Sequence, residues 1–173
     1  MLVAESAMGY ELVVVAGLGK TDSYATKTMR EVVAGSLKKL QHAKLTTAFI
    51  VLPEAIDDDI FEVGKHISLA VNLTNYRFDK YKSTEEKKKA TDIQSVTVLY
   101  SGDISKKKTK FNQGVEYGIA LSQGMSLTRD LVNEPASALD PEGMVAAALA
   151  IEKQSGGSIQ VEVGIVRNDK AGA

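Results

Sequence analysis

The 173-residue sequence contains no cysteine. That excludes disulfides, thiolate metal sites and a cysteine nucleophile, and it fits a reducing compartment. Histidine is nearly as scarce. His42 and His66 fall on separate predicted helices, with no His-x-x-x-His or Glu-x-x-His spacing to form a zinc-type pair. Charge of one sign is missing too: 21 Lys and Arg stand against 22 Asp and Glu, a formal net charge of -1. No whole-molecule field therefore draws in nucleic acid or acidic partners. No apolar run approaches the ~20 residues that span a bilayer. Met1 to Met8 has neither a basic n-region nor a long apolar h-region, which argues against a signal peptide. Without a secretory route, the sequon Asn72-Leu73-Thr74 is coincidence. There is no internal repeat and no low-complexity linker.

What is present has the make-up of an ordinary soluble domain, 44% apolar and 25% charged, long enough to bury a core. Tyr10 to Gly17 is an apolar run stopped by glycines, which predicts a strand buried on both faces. Met29, Val32, Val33, Leu37 and Leu40 recur at helical spacing, with Lys27, Arg30, Glu31, Lys38 and Lys39 opposite. Thr46 to Leu52 predicts a second strand, ended by Pro53. Ile56, Ile60, Val63, Ile67, Ala70, Val71 and Thr74 share one face of a second helix, with Asp57, Asp58 and Asp59 in its first turn. Ser95 to Ser101 and Ser158 to Val166 predict two more strands. Between them lie helices over Phe111 to Leu131 and Pro141 to Ser155, the latter with Asp140 as N-cap and Gly156-Gly157 at its end. Strands alternating with helices predict an α/β fold, a mixed, mostly parallel sheet flanked by helices.

Candidate chemistry is thin. Gly17-Leu18-Gly19-Lys20-Thr21 ends like a phosphate-binding loop, but the position that needs the earlier glycine is Val14, inside the strand. A tight strand-to-helix turn explains both glycines better. Asp57-Asp58-Asp59 carries oxygens that suit hard cations. Adjacent helical residues point in different directions, however, and helix-start electrostatics is the better account. No Gly-x-Ser-x-Gly elbow occurs. Gly114, Gly118, Ser122 and Ser126 repeat every four residues, a small-residue stripe that admits another backbone at close range. From Arg77 to Lys110, ten Lys or Arg face five Asp or Glu, concentrated at Lys87-Lys88-Lys89 and Lys106-Lys107-Lys108. With Tyr76, Phe78 and Tyr81 nearby, a basic-loop nucleic-acid site is one reading. Two solvated loops flanking the Ser95 strand is the plainer one. The residues alone give no catalytic, cofactor-binding or metal-binding site.

Several segments resemble the M17 leucyl aminopeptidases, in that family's order. They are Val13-Val14-Val15-Ala16-Gly17-Leu18-Gly19-Lys20, then Tyr76-Arg77-Phe78-Asp79-Lys80-Tyr81-Lys82, then Arg129-Asp130-Leu131 with Asn133-Glu134-Pro135-Ala136. The resemblance implies an N-terminal, macro-domain-like α/β domain over 1–110, a C-terminal linker helix over 111–127, and a truncated extension over 128–173 that begins the peptidase domain. Family members usually carry a further strand and helix region before the Gly-Leu-Gly-Lys turn, and the N-terminal domain here is expected to lack that first strand. The family's metal and catalytic residues come from Gly-Lys-Gly-x-Thr-Phe-Asp-Ser-Gly-Gly and Asn-Thr-Asp-Ala-Glu-Gly-Arg segments, and neither occurs in this sequence. No residue here inherits such a role.

The resemblance therefore implies a non-catalytic N-terminal fragment with no cofactor of its own. The parent would be a cytoplasmic, hexameric hydrolase that removes N-terminal residues from peptides with two divalent cations, zinc, manganese or magnesium. The fragment's part would be structural and in oligomerisation, with peptide substrates reaching only the catalytic domain and no membrane involved. The segment from Asn133 to Ala173 is expected to be loosely held or self-associating. The alternatives are a macro-like ligand-binding module and the basic-loop nucleic-acid binder.

Overall fold

A computed structural model describes residues 2–7, 9–20, 26–52, 59–100, 105 and 107–164, with side chains described from residue 9 onward except at Thr26. The chain divides into two compact units, Met1–Arg129 and Asp130–Ala173. In chain order the elements are β1 (Leu2–Ala7), β2 (Tyr10–Val15), α1 (Thr26–His42), β3 (Thr47–Leu52), α2 (Ile60–Asn75), α3 (Thr84–Lys88), β4 (Ser95–Tyr100), α4 (Lys108–Asn133) and α5 (Pro141–Gln154).

The strands form two small sheets. β3 and β4 pair in parallel, with Thr47 opposite Ser95 and Leu52 opposite Tyr100. Alternation sorts their side chains: Ala48 and Leu52 are buried, while Phe49 and Val51 are 55% and 69% exposed. The buried face meets Met29, Val33 and Leu37 of α1 and Ile60, Val63, Ile67 and Ala70 of α2, and Ile93 completes the core. Leu37 and Val63 are fully buried, each stabilising the fold by roughly 2 kcal/mol.

β1 and β2 form an antiparallel hairpin, Leu2 opposite Val15 and Ala7 opposite Tyr10. The mixed α/β fold is as expected, but β2 is not the doubly buried strand its run of valines predicts. Among the described residues it pairs with β1 alone, and Tyr10 and Val15 are both more than half exposed. β1 escaped the sequence reading because Glu5 and Ser6 break its apolar pattern. Pairing with β2, not periodicity, makes it a strand.

The helices follow their sequence signals. α1 carries an i,i+4 ion pair, Lys27 to Glu31 at 3.5 Å. It ends on Lys44 at φ 61, with the Leu45 N–H on the Leu40 carbonyl at 2.9 Å and the Lys44 N–H on the Gln41 carbonyl at 3.0 Å. Asp59 is the N-cap of α2 and accepts the Phe61 N–H at 3.0 Å; Asp57 and Asp58 lie outside the described residues. α3 is one turn closed by a capping box between Ser83 and Glu86, in a stretch that reads as solvated loop.

In the second unit, α5 starts as expected, with Asp140 accepting the Gly143 N–H at 2.8 Å and Pro141 in the first turn. Gly156 and Gly157 follow it at φ 62 and 90. The strand expected over Ser158 to Val166 does not form in the described residues 158–164. No strand lies within the described part of this unit to pair with it, and an isolated strand in water has nothing to satisfy its backbone. Val166 lies outside the described residues.

Candidate functional site

The segment from Tyr76 to Asp92 carries the most polar chemistry, and its geometry is set from α2. Asn75, the last residue of α2, donates from Nδ2 to the Ile93 carbonyl at 2.8 Å and accepts the Ile93 N–H on Oδ1 at 3.0 Å. Gln41 at the end of α1 donates to the same Oδ1 at 3.0 Å. The excursion is thus pinched shut at its base. Within it, the Arg77 guanidinium bonds both oxygens of Asp92, and its Nε donates to Asp79 at 2.9 Å. Lys82 donates to the other Asp79 oxygen at 2.8 Å. The bonds from Lys82 and then Arg77 hold the Asp79 carboxyl below its ordinary range, and Asp92 and Asp79 push the Arg77 guanidinium higher still.

The charges of Arg77 and Lys82 are thus paired within this network. Phe78 and Tyr81 pack on each other with centroids 5.8 Å apart, and Lys80 sits over the Tyr81 ring. Tyr76 is covered by the Arg129 guanidinium at 5.2 Å. Lys87, Lys88 and Lys89 are exposed and come before β4, whereas Lys107, held over the Tyr100 ring at 5.6 Å, comes after it. Lys106 lies outside the described residues.

The two histidines lie on separate helices, His42 on α1 and His66 on α2. His42 is exposed near the end of α1. His66, on α2, has a side chain only 15% exposed, with Nε2 3.5 Å from Glu62 Oε2. Its buried Nδ1 has no hydrogen-bond partner among the described residues. Burial first, then the charges of Lys65 and Arg30, lower its pKa against the opposing pull of Glu62. Asp59 is exposed and accepts Lys110 Nζ at 3.0 Å, a link from the start of α2 to α4. That bond, then the Phe61 N–H, lowers its pKa. Among the described residues, no three His, Asp or Glu side chains gather in a way that could hold a metal ion.

The glycine turn Gly17-Leu18-Gly19-Lys20 follows β2 directly, with Gly19 at φ 90, a conformation that favours glycine. Thr21 lies outside the described residues. The small-residue stripe of α4 meets α2 backbone to backbone. A Cβ on Gly114 would collide with the Phe61 carbonyl, and one on Gly118 would lie 2.5 Å from the Lys65 carbonyl oxygen. The stripe is packing, as its spacing implies, and the ring pair Phe61–Tyr117 at 5.8 Å flanks it.

One feature escaped the sequence reading. Between β2 on one side and β3 on the other, over α1, lies a groove of about 760 Å³ lined largely by apolar residues. Among the described residues β2 pairs with β1 and β3 with β4, and pairing partners are not written in either strand's own pattern.

Comparison with known proteins places this geometry. Residues 1–85 match the N-terminal domain of the cytosol aminopeptidase family. A probable cytosol aminopeptidase of Aquifex aeolicus is 30% identical over 146 residues, 84% of this chain and 27% of that protein. One of Rhizobium leguminosarum bv. trifolii is 28% identical over 164 residues, 94% of this chain and 31% of that protein. The bottromycin maturation enzyme BotP superposes with a TM-score of 0.67 at 25% identity, covering 90% of this chain and 31% of BotP. The structure of BotP in complex with Mn gives 0.69 at 24% identity. This chain thus spans less than a third of the length of these relatives. Among the described residues, no helix is long and apolar enough to cross a membrane.

Proposed function

We propose that this chain, whose first 85 residues belong to the N-terminal domain of the cytosol aminopeptidase family, is a non-catalytic, structural part of an aminopeptidase. The activity it serves is removal of N-terminal amino acids from peptides in the cytoplasm. Two divalent cations in a separate catalytic domain would polarise the scissile carbonyl and generate the hydroxide nucleophile. The naming of the relatives as cytosol aminopeptidases supports the activity, and the manganese complex of BotP supports a metal-dependent family. The observation that carries the division of labour lies in the sequence. It contains neither of the two segments that supply metal ligands and catalytic groups in the family it resembles.

In this reading residues 1–110 form the accessory domain, α4 carries the chain out of it, and 128–173 begin the peptidase domain. The parent is a hexamer to which the accessory domain contributes contacts. Support for reading 128–173 as the start of a further domain is that no residue of α5 is buried, while Val132, Met144 and Leu149 are exposed. Such apolar surface calls for a covering. Calorimetric titration of the purified chain with manganese chloride tests the assignment. No saturable binding is expected; two tight sites per chain would place the metal centre here and overturn it.

A further inference from the structure

The excursion between α2 and β4 is fixed at its two ends and lightly held between them. At its base Asn75 bonds both backbone groups of Ile93, and Arg77 pairs with Asp92. Lys82 is tied back to Asp79, yet every residue from 80 to 90 is exposed. α3, the helical turn in that stretch, buries no side chain. Its start is kept by the Ser83–Glu86 capping box. The bonds that close its end are long: Lys89 N–H to the Glu86 carbonyl at 3.3 Å and Ala90 N–H to the Lys87 carbonyl at 3.4 Å. A five-residue helix without packing against a core has little to sustain it in water. Unwinding it uncovers no core residue.

That turn ends on Lys87, Lys88 and Lys89. An endopeptidase with a carboxylate in its specificity pocket reads a lysine ammonium. It binds its substrate as an extended segment, so it acts where the chain leaves its fold locally. Lys38 and Lys39 lie in the 17-residue α1, and Lys65 lies in the 16-residue α2 and is paired with Glu62. Both helices pack on the core, so cleavage at those lysines requires the core to open. The contacts that join the two sides of a cut in α3 lie elsewhere. β3 and β4 pair from Thr47 opposite Ser95 to Leu52 opposite Tyr100. Gly114 of α4 sits against Phe61 of α2, Lys110 bonds Asp59, and Arg129 covers Tyr76.

We propose that Lys87, Lys88 and Lys89 form a cleavage site for a lysine-directed endopeptidase, and that the cut chain keeps its fold as two pieces held without a covalent bond. Water adds across the amide that follows one of these lysines. That lysine keeps the new carboxylate, and the next residue keeps the new ammonium. α3 is severed and the core is left as it was. The inference rests on exposure and on contacts across the cut, and stands whether or not the chain serves a peptidase.

Limited digestion of the purified chain with trypsin, sampled over time and read by mass spectrometry, tests it. Cleavage after Lys87, Lys88 or Lys89 is expected at least about a hundredfold faster than after Lys38, Lys39 or Lys65. The piece that ends at the cut and the piece that begins there elute together on size exclusion in buffer and separate in urea. Ser83→Ala removes the cap of α3 and speeds the cut about fivefold. Replacing all three lysines, K87Q/K88Q/K89Q, abolishes it and leaves the midpoint of thermal unfolding unchanged. If Ser83→Ala fails to fold, the rates in the unaltered chain and the co-elution decide alone. Cleavage no faster after these lysines than after Lys38 or Lys65 overturns the proposal. So do pieces that separate in buffer, or a folded Ser83→Ala variant that is cut no faster.

Discussion

Asn75 grips Ile93 by both of its backbone polar groups, 18 residues further along the chain. One side chain thereby closes the Tyr76–Asp92 excursion and delivers buried Ile93 to the core beside β4. Asn75→Ala leaves a buried N–H and a carbonyl without partners. The expected loss is about 1–3 kcal/mol in urea unfolding. Gln41→Ala removes only one neutral bond and costs about 1 kcal/mol.

The α4 glycines separate packing from propensity. Gly114 faces the Phe61 backbone, whose carbonyl carbon would be 2.8 Å from an added Cβ, whereas Gly124 has nothing within 4 Å. Gly114→Ala is expected to destabilise by about 1–3 kcal/mol through overpacking. Gly124→Ala, in the same helix, stabilises by about 0.5–1 kcal/mol through its lower chain entropy. Thermal unfolding of the two variants checks the opposite signs.

Lys44 ends α1 in the left-handed region that favours glycine. Lys44→Gly keeps the Leu45-to-Leu40 bond and relieves a strain of about 1 kcal/mol. A rise in midpoint of denaturation is the expected result.

His66 makes stability depend on pH. Its pKa in the fold lies below the ordinary 6.5. Between those two values the unfolded chain takes up a proton that the folded chain refuses. Stability is therefore complete above about pH 6.5 and falls as pH drops towards the lowered value. Asp59, Asp79 and Glu86, whose pKa values are also lowered, lose their contributions only in the acid range below the ordinary carboxylate values. His66→Gln should flatten the urea midpoint between pH 7.5 and about 5.5 and leave the acid limb unchanged.

Much of this was legible in local pattern. The apolar stripes of α1 and α2 gave their buried faces, Asp140-Pro141 gave the start of α5, and the four-residue spacing of Gly114, Gly118 and Ser122 gave a close backbone contact. Tertiary pairing was not legible. The valines of β2 suggested a strand buried on both sides, yet among the described residues its one partner is β1, whose Glu5 and Ser6 hide it. Ile159, Val161 and Val163 alternate as a strand should, but the described residues of that unit hold no other strand to pair with. Asn75 gave no signal at all, because a side chain that bonds residues 18 positions away leaves no mark in a short window. The groove between β2 and β3 is a product of such pairing and was invisible for the same reason.

As proposed, the residues of this chain carry structure and not peptide hydrolysis. Turnover of leucine p-nitroanilide by the purified chain with manganese chloride, against an EDTA-treated control, tests it most directly. The same background rate is expected in both. Metal-dependent release of nitroaniline that scales with protein concentration and survives repurification would contradict it.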